Sequence, residues 1–266
     1  HSGFRIPTLN ELYRPFRVGK DVTVANADLA PEHLLGAGIG MDVLLTRPPA
    51  KTRGRNGGEN GSQEVSEGRR GSHLSFSVFA ERLRNGIGNV TIGAGPGLFP
   101  DAGFVPAGGA LRERRNIPRI RNLGFELGLD LALGAQSRLL VSGLHHGERI
   151  RRPPAGAKEL RGLRVAQSPR TRFHAEVQHV LGRHWQIGVT LDHLGAAFED
   201  DLNRRRLPAA TPIGAWLAYA LAPNWKLRLV SDNLFDVRVI DRLDPTGLAH
   251  RARPRWVGLV LIRQQG

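Results

Sequence analysis

Three groups of side chains have types and spacings that could support chemistry. The run Glu199–Asp201 offers carboxylates, which calcium prefers as ligands, and His145 and His146 offer imidazoles to a transition metal. The cluster Gly93–Gly97 could suggest a phosphate-binding loop, but a proline interrupts it and no helical pattern follows. Neighbouring loop carboxylates are commonly just solvated, and two histidines do not complete a metal site. Because GxSxG, HExxH and P-loop motifs are also absent from the sequence, we expect neither an enzyme nor a bound metal or cofactor.

The composition restricts the partners of the chain. Its 266 residues contain 38 Lys+Arg and 24 Asp+Glu, a net charge of +14, which suits either nucleic acid or an anionic membrane surface. An aromatic content of 6% and the lack of a base-stacking motif argue against nucleic acid. The sequence has no cysteine, which excludes disulfides and thiolate metal sites. No run approaches the roughly 20 apolar residues of a membrane helix, and a start at His1 suggests a fragment or a processed product.

The secondary structure that must position any site is clearest in the stretch 123–133, LGFELGLDLAL. Apolar side chains occupy every second position, and glycine, alanine or an acidic residue lies between them. A period of two is that of a β-strand with one apolar face, whereas a helix would spread these side chains around its axis. We therefore predict a strand here.

The same alternation recurs along the chain and predicts an all-β, antiparallel fold. The further predicted strands are 35–45, 73–92, 138–150, 171–181, 185–191, 212–221, 225–240 and 255–263. The slip in alternation at 230–233 predicts a bulge. Segments 1–34, 94–119, 151–169, 199–209 and 241–254 are predicted loops, and the charged, Gly-rich segment 46–72 is predicted to be a disordered insertion.

Alternation alone does not decide which face meets water. In a soluble sandwich the charged face is the outer one, whereas in a membrane barrel the apolar face is outside and the charged face lines a lumen. From residue 120 onward the connections run short, long, short, long, short, long. Tight turns at one end and long loops at the other are typical of outer-membrane barrels.

Several motifs in order resemble one family. FRIPTLNELYRPF (4–16) and NADLAPEHLLGAGIGMD (26–42) resemble a block of TonB-dependent outer-membrane receptors, in which a loop leads into a descending strand. Similar stretches of the second half of that barrel follow in the same order: NVTIG (89–93), RNLGFELGLDL (121–131), LGAAFEDDLN (194–203) and SDNLFDVRV (231–239).

The resemblance implies a 22-stranded transmembrane β-barrel of which residues 1–266 supply the C-terminal portion, about nine to ten strands, without the plug domain. It implies TonB-energised uptake of a scarce nutrient, such as a ferric siderophore or cobalamin, across the outer membrane. The implied partners are the outer membrane and its lipopolysaccharide, the barrel-assembly machinery, a small-molecule nutrient and, through the missing N-terminal plug only, the TonB system.

The chain also departs from the family pattern. The insertion 46–72 replaces a short periplasmic turn, His193 takes the place of an interfacial aromatic residue, and His145 and His146 replace a usually aromatic pair. The tail 262–266 lacks the terminal aromatic residue that the assembly machinery reads. A self-contained small barrel or porin, a soluble β-protein and a non-functional receptor fragment therefore remain alternatives.

Two sets of site residues follow from the implied topology. The expected lumen-facing residues are Glu126, Asp130, Glu176, Gln178, Gln186, Thr190, Asp192, Lys226 and Arg228. The expected extracellular basic rim comprises Arg112, Arg114, Arg115, Arg119, Arg149, Arg151, Arg152, Lys158, Arg161, Arg164, Arg170, Arg204, Arg205 and Arg206. This rim could meet lipopolysaccharide phosphates or attract an anionic ligand.

Overall fold

The computed structural model of the protein describes residues 1–46, 71–252 and 254–263. The regular secondary structure of these residues is almost entirely β-strand, as the sequence predicted. The described helices are α1 (Leu9–Tyr13), which begins with a capping box between Thr8 and Glu11, and one 3-10 turn (Lys158–Leu160). Neither is long or apolar enough to cross a membrane, and no other helix lies in the described residues.

The described strands are, in chain order, β1 (Ser2–Arg5), β2 (Phe16–Val18), β3 (Asp21–Val24), β4 (Glu32–Leu44), β5 (His73–Arg84), β6 (Gly86–Ala94), β7 (Gly97–Phe99), β8 (Gly103–Val105), β9 (Ala110–Ile117), β10 (Arg119–Leu133), β11 (Ser137–His146), β12 (Arg149–Arg152), β13 (Thr171–Leu181), β14 (Trp185–Leu194), β15 (Ala197–Phe198), β16 (Arg206–Leu207), β17 (Ile213–Ala222), β18 (Trp225–Asp232), β19 (Ile240–Leu243), β20 (Ala249–Arg251) and β21 (Trp256–Arg263).

One large antiparallel sheet dominates the fold. Its strands follow the order β1-β4-β5-β10-β11-β13-β14-β17-β18-β21, and β12 extends it by pairing with the start of β10. Short turns join β10 to β11, β13 to β14 and β17 to β18 at one end, which we call the short-turn end. The opposite, long-loop end carries the small sheets formed by β2-β3-β9-β6, β7-β8, β15-β16 and β19-β20.

The register of the large sheet sorts its side chains into two faces. In β10, Leu127 pairs with Phe76 and Gly143, whereas the neighbouring Glu126 pairs with Ser77 and Leu144. Paired residues of an antiparallel sheet point to the same side. The apolar side chains therefore form one continuous face, the apolar face, and the acidic, amide and basic ones form the polar face.

The apolar face is uncovered, and the buried apolar clusters lie elsewhere. Ile39 is 75% exposed and Leu259 is 65% exposed, although both belong to long strands of the large sheet. Buried apolar side chains collect in two clusters at the long-loop end, one around Val90 and Leu160 and the other around Val22 and Val105. A sheet that buried this face in a soluble core would not expose such side chains.

The structure corrects two details of the sequence interpretation. The predicted loop 94–119 contains β7, β8 and the whole of β9. No bulge occurs at 230–233, because β18 ends at Asp232 and the Asn233 side chain closes a turn with the backbone of Val237. The pairing of β17 with β18 shifts register instead between Ala220 and Ala222, next to the short turn. The predicted disordered insertion 46–72 lies outside the described residues except for its ends.

Candidate functional site

All nine residues predicted to face a lumen lie on the polar face of the large sheet. Their register is continuous from β10 to β18: Asp130 pairs with Leu140, Leu140 with Glu176, and Glu176 with Thr190. From there Gln186 pairs with Ala218 and Ala218 with Arg228. The remaining members, Glu126, Gln178, Asp192 and Lys226, occupy alternate positions of the same strands.

Several of these polar groups are already engaged by neighbours. Asp130 forms an ion pair with Arg138, and Asp192 Oδ1 lies 2.7 Å from His174 Nδ1. The indole Nε1 of Trp216 donates to Glu176 at 2.8 Å. Over the face of that ring, the Arg228 guanidinium lies 4.1 Å from the ring centroid. Several charged side chains of the polar face are therefore engaged by neighbouring side chains of the same face.

Sequence reasoning missed important members of this network. Arg138, His174 and Trp216 belong to the polar face by register, and each contacts one of the predicted residues. The period-two signal extends to them, because each occupies an alternate position of a predicted strand. The polar face also carries Leu140 and Leu144, which explains why the pattern of β11 was weak in the sequence.

The polar face borders a hollow of about 730 Å³. Glu126, Asp192, Arg172 and His174 contribute to its lining, and Val239, from the segment after β18, reaches it from the long-loop end. A volume of this size is in the range of small-molecule sites. The hollow presents carboxylates, an imidazole and a guanidinium to whatever occupies it.

The long-loop end is organised around one buried carboxylate. Asp21, whose side chain is 7% exposed, accepts an ion pair from Arg112 at 2.7 Å and another from Arg205 at 3.3 Å. Its Oδ1 also accepts the backbone N–H of Ala110 at 2.8 Å. Three distant segments of the chain are thus joined at Asp21, and the charges of two predicted rim arginines are directed inward.

The other predicted rim residues form two groups, one engaged by neighbouring groups and one exposed. Arg115 pairs with Glu113 at 2.6 Å, and Arg114 lies over the ring of Phe16. Arg164 donates to the carbonyls of Ser168 and Ala196. The exposed members, for which the described residues supply no ion pair, are Arg119, Arg151, Arg152, Lys158, Arg161, Arg204 and Arg206.

Burial and mutual repulsion lower the pKa of two guanidiniums at the long-loop end. For Arg164 the larger cause is burial, followed by the charges of Arg170 and Arg149. For Arg149 burial again leads, followed by Arg170 and Arg151. Positive charges therefore do converge at the long-loop end, although Arg112, Arg115 and Arg205 are neutralised by carboxylates.

The candidate metal ligands of the sequence are dispersed in the structure. Glu199 accepts from Gln167 at 3.1 Å, Asp200 from the backbone of Arg205 at 2.6 Å, and Asp201 from Thr91 at 2.7 Å. Each carboxylate of the run is thus engaged by a different segment. Within the described residues no three such groups converge on a common point.

The three singled-out histidines also have separate surroundings. His145 stacks on Phe125 on the apolar face, with ring centroids 5.6 Å apart. His146 points to the polar face and contacts Asn122. His193 lies on the apolar face and contacts Thr211 at 2.9 Å.

Aromatic side chains border the apolar face at the short-turn end. Trp185 and Tyr219 pack with ring centroids 4.6 Å apart, and His184 lies beside Tyr219. On the neighbouring strands Arg263 lies over the ring of Trp225. Amphipathic aromatic rings at the edge of an apolar band are characteristic of a membrane interface.

Solved structures with the same architecture include siderophore receptors and a copper transporter. The siderophore receptor PiuA from Acinetobacter baumannii matches with a TM-score of 0.61 at 14% identity, covering 88% of this chain and 28% of that one. The ferric enterobactin receptor PfeA from Pseudomonas aeruginosa matches with a TM-score of 0.60 at 16% identity, covering 98% and 37%. The copper transporter OprC matches with a TM-score of 0.63 at 15% identity, covering 98% and 36%.

These matches establish the fold, and they concern a part of each larger protein. The chain spans between 28% and 37% of the length of those three structures. No curated protein matches the chain. The family model for the TonB dependent receptor-like β-barrel matches residues 1–234, which is most of the sequence. The chain belongs to the TonB-dependent receptor β-barrel family, a family of outer-membrane receptors and transporters rather than enzymes.

Proposed function

We propose that residues 1–266 form the C-terminal part of an outer-membrane receptor barrel that takes up a scarce nutrient with energy from the TonB system. The observation that carries this proposal is the uncovered apolar face. Leu123 and Phe125 are each 43% exposed, and Val189 is 48% exposed, while Glu126 and Thr190 point the other way. Lipid on one side and a polar passage on the other account for both faces.

In this function the two sets of polar residues have different roles. The polar face lines the passage, and its neutralised pairs, such as Asp130 with Arg138, make a wall without a strong net charge. The long-loop end, with Arg204 and Arg206 exposed, attracts the nutrient. Contacts with TonB are made through a plug domain of the receptor, and the barrel-assembly machinery inserts the strands.

The nutrient class that fits this rim is an anionic chelate, and a ferric siderophore is the first candidate. PiuA and PfeA are receptors of this kind, and OprC is a copper transporter. Unpaired guanidiniums bind the carboxylate or catecholate oxygens of such chelates through charge-assisted hydrogen bonds. Cobalamin, with little negative charge, is the matched comparison ligand.

The first experiment asks where the chain resides. Membranes are fractionated, and the heat-modifiable migration of the full chain is followed by gel electrophoresis. The proposal predicts partition with the outer membrane and a folded, heat-sensitive form. Recovery in the soluble fraction would contradict it, and a closed, stable barrel that passes small solutes without TonB would support the porin alternative instead.

The second experiment asks what is taken up. Uptake of a ferric catecholate, copper and cobalamin is measured with and without functional TonB. Replacing Arg204 and Arg206 by glutamine should slow association of the ferric chelate by about 10-fold at low ionic strength, because electrostatic steering is lost. Arg183→Gln, in the turn at the opposite end, is the control outside the rim and should leave the rate unchanged.

A further inference from the structure

The polar face carries a serine, a histidine and an aspartate on three neighbouring strands. By register, Ser142 of β11 lies directly opposite His174 of β13, and His174 lies directly opposite Asp192 of β14. Paired residues of an antiparallel sheet point to the same side and have Cβ atoms about 4.5–5.5 Å apart. The three side chains therefore form a row across the sheet, with the imidazole in the middle.

The histidine is held by its acidic neighbour. Nδ1 of His174 lies 2.7 Å from Oδ1 of Asp192, which favours the tautomer with its proton on Nδ1. Because the two nitrogens lie on opposite sides of an imidazole ring, Nε2 is directed away from β14, on the side of the ring where β11 lies. Within the described residues no hydrogen bond engages that nitrogen or the hydroxyl of Ser142. A hydroxyl, a basic nitrogen and a carboxylate in this order are the components of an activated serine nucleophile.

All three residues line the hollow of about 730 Å³ on the polar face. Beside them, Leu144 and Leu194 give the hollow an apolar patch that can hold an acyl chain. Arg172 lies between these two leucines by register and is the diagonal neighbour of Ser142. Long side chains reach their diagonal neighbours, so the Arg172 guanidinium can approach a carbonyl group bound at Ser142. It forms no ion pair with the described residues and is available to stabilise an oxyanion.

A second serine–histidine pair shows what this arrangement adds. Ser137 Oγ lies 2.7 Å from Nδ1 of His179, but the other register partner of His179 is Ile187. That pair lies on the apolar face, because Ser137 is opposite Leu133. It has neither a carboxylate behind the imidazole nor the hollow in front of the hydroxyl. The row on the polar face has both.

We propose that Ser142, His174 and Asp192 form a hydrolytic triad that cleaves carboxylic esters in the hollow. Ser142 is the nucleophile and His174 the general base, while Asp192 positions the imidazole and stabilises its cationic form. A single side-chain donor for the oxyanion suits esters, because an alcohol leaves more readily than the amine of an amide. Catalytic hydrogen bonds are often long until substrate binds, so Ser142 and His174 close their contact in the complex. This activity is additional to nutrient uptake and does not depend on it.

The reaction has two balanced steps. Ser142 Oγ attacks the ester carbonyl carbon while Nε2 of His174 takes the hydroxyl proton, and Arg172 stabilises the oxyanion that forms. The bond to the alcohol oxygen then breaks, the alcohol leaves with the proton from His174, and the acyl group remains on Ser142. Water next attacks the acyl carbon and gives a proton to His174. The bond to Ser142 breaks, its Oγ recovers that proton, and the carboxylic acid is released.

The nucleophile is tested on the unaltered protein with a fluorophosphonate probe, which reacts with activated serine hydroxyls and loses fluoride. The full chain is folded in detergent, checked by heat-modifiable migration and exposed to the probe, and the labelled peptide is identified by mass spectrometry. We expect a covalent label on Ser142 that is absent when the chain is unfolded by heat before exposure. A folded chain without label, or with label on other serines only, would overturn the proposal.

Hydrolysis of p-nitrophenyl butyrate tests the roles of the individual residues in variants that keep heat-modifiable migration. Ser142→Ala should reduce the rate to that of buffer, and His174→Gln should lower kcat by about 100- to 10,000-fold. Asp192→Asn should lower kcat by a similar factor with KM unchanged, because it acts through the imidazole and does not touch the substrate. Ser137→Ala, in the pair without a carboxylate, is the control and should match the parent. Parental rates in Ser142→Ala or Asp192→Asn would refute the triad.

This proposal and the proposed function fail separately. If uptake depends on TonB while Ser142→Ala leaves ester hydrolysis unchanged, only the triad is wrong. If the chain hydrolyses esters through Ser142 but does not partition with the outer membrane, only the proposed function is wrong.

Discussion

Replacing Asp21 by asparagine should loosen three segments of the long-loop end together. The side chain of Asp21 is nearly isosteric with asparagine, and Oδ1 can still accept the N–H of Ala110. The substitution removes only the negative charge that Arg112 and Arg205 share. Because Arg112 and Arg205 are mostly buried, their guanidiniums would keep their charge without a carboxylate partner.

The magnitude follows from these contacts. Removing one partner of a buried ion pair costs about 3–5 kcal/mol. Arg112 and Arg205 retain some solvent access, and the backbone hydrogen bond survives, so we expect the lower end, about 3 kcal/mol. Each 1.4 kcal/mol corresponds to a factor of ten, and local opening should therefore become about 100-fold more frequent.

Hydrogen exchange of backbone amides measures that opening directly. Amides in 22–24, 111–113 and 203–205 should all lose protection by a similar factor, because they meet at one carboxylate. Asp28→Asn, an exposed aspartate of the same loop, is the control and should change little. Loss confined to residues near position 21, or an equal loss in the control, would refute the view that Asp21 organises the loops.

Two further predictions concern packing and pH. Gly188→Ala should destabilise the sheet by about 1–3 kcal/mol, because the added Cβ would overlap the Trp216 ring. At Gly143 an added Cβ would make only ordinary contacts, so Gly143→Ala is the control. Denaturant titration of both variants measures the difference in their free energies of unfolding. The hydrogen bonds from Arg5 lower the pKa of Glu11 to about 2, so the stability they provide is present above about pH 4.5 and is lost as pH falls toward 2. Hydrogen exchange of the α1 amides should show this transition in the parent protein. In the Glu11→Gln variant the exchange protection of these amides should not change over the same pH range.

The large sheet was predictable because its signal is local. A period of two over ten residues determines both the strand and the face of each side chain, so Leu127 and Glu126 could be assigned to opposite faces from the sequence. The loop lengths then distinguished the end of the sheet with short turns from the end with long loops. The direction of the apolar face, toward lipid or toward a core, was predicted from the loop asymmetry and the motif resemblance and not from the alternation.

The contacts that organise the long-loop end were not predictable in the same way. Asp21 and Arg205 are separated by 184 positions, and no periodicity connects them. Arg82 and Arg121 looked like ordinary strand residues, and only the register between β5 and β10 places them side by side. The sequence grouped basic residues by loop, whereas the structure neutralises Arg112 and leaves Arg119 unpaired within the described residues.

The central claim, that the apolar face meets lipid, is tested most directly by a pair of arginine substitutions at the same depth. Leu127 lies on the apolar face and pairs with Gly143, and Ser142 lies next to Gly143 on the polar face. Folding of each variant into lipid bilayers is measured by reversible denaturant titration. We predict that Leu127→Arg costs about 2–4 kcal/mol and that Ser142→Arg costs less than about 1 kcal/mol. Equal costs, or a larger cost for Ser142→Arg, would show that the apolar face does not meet lipid.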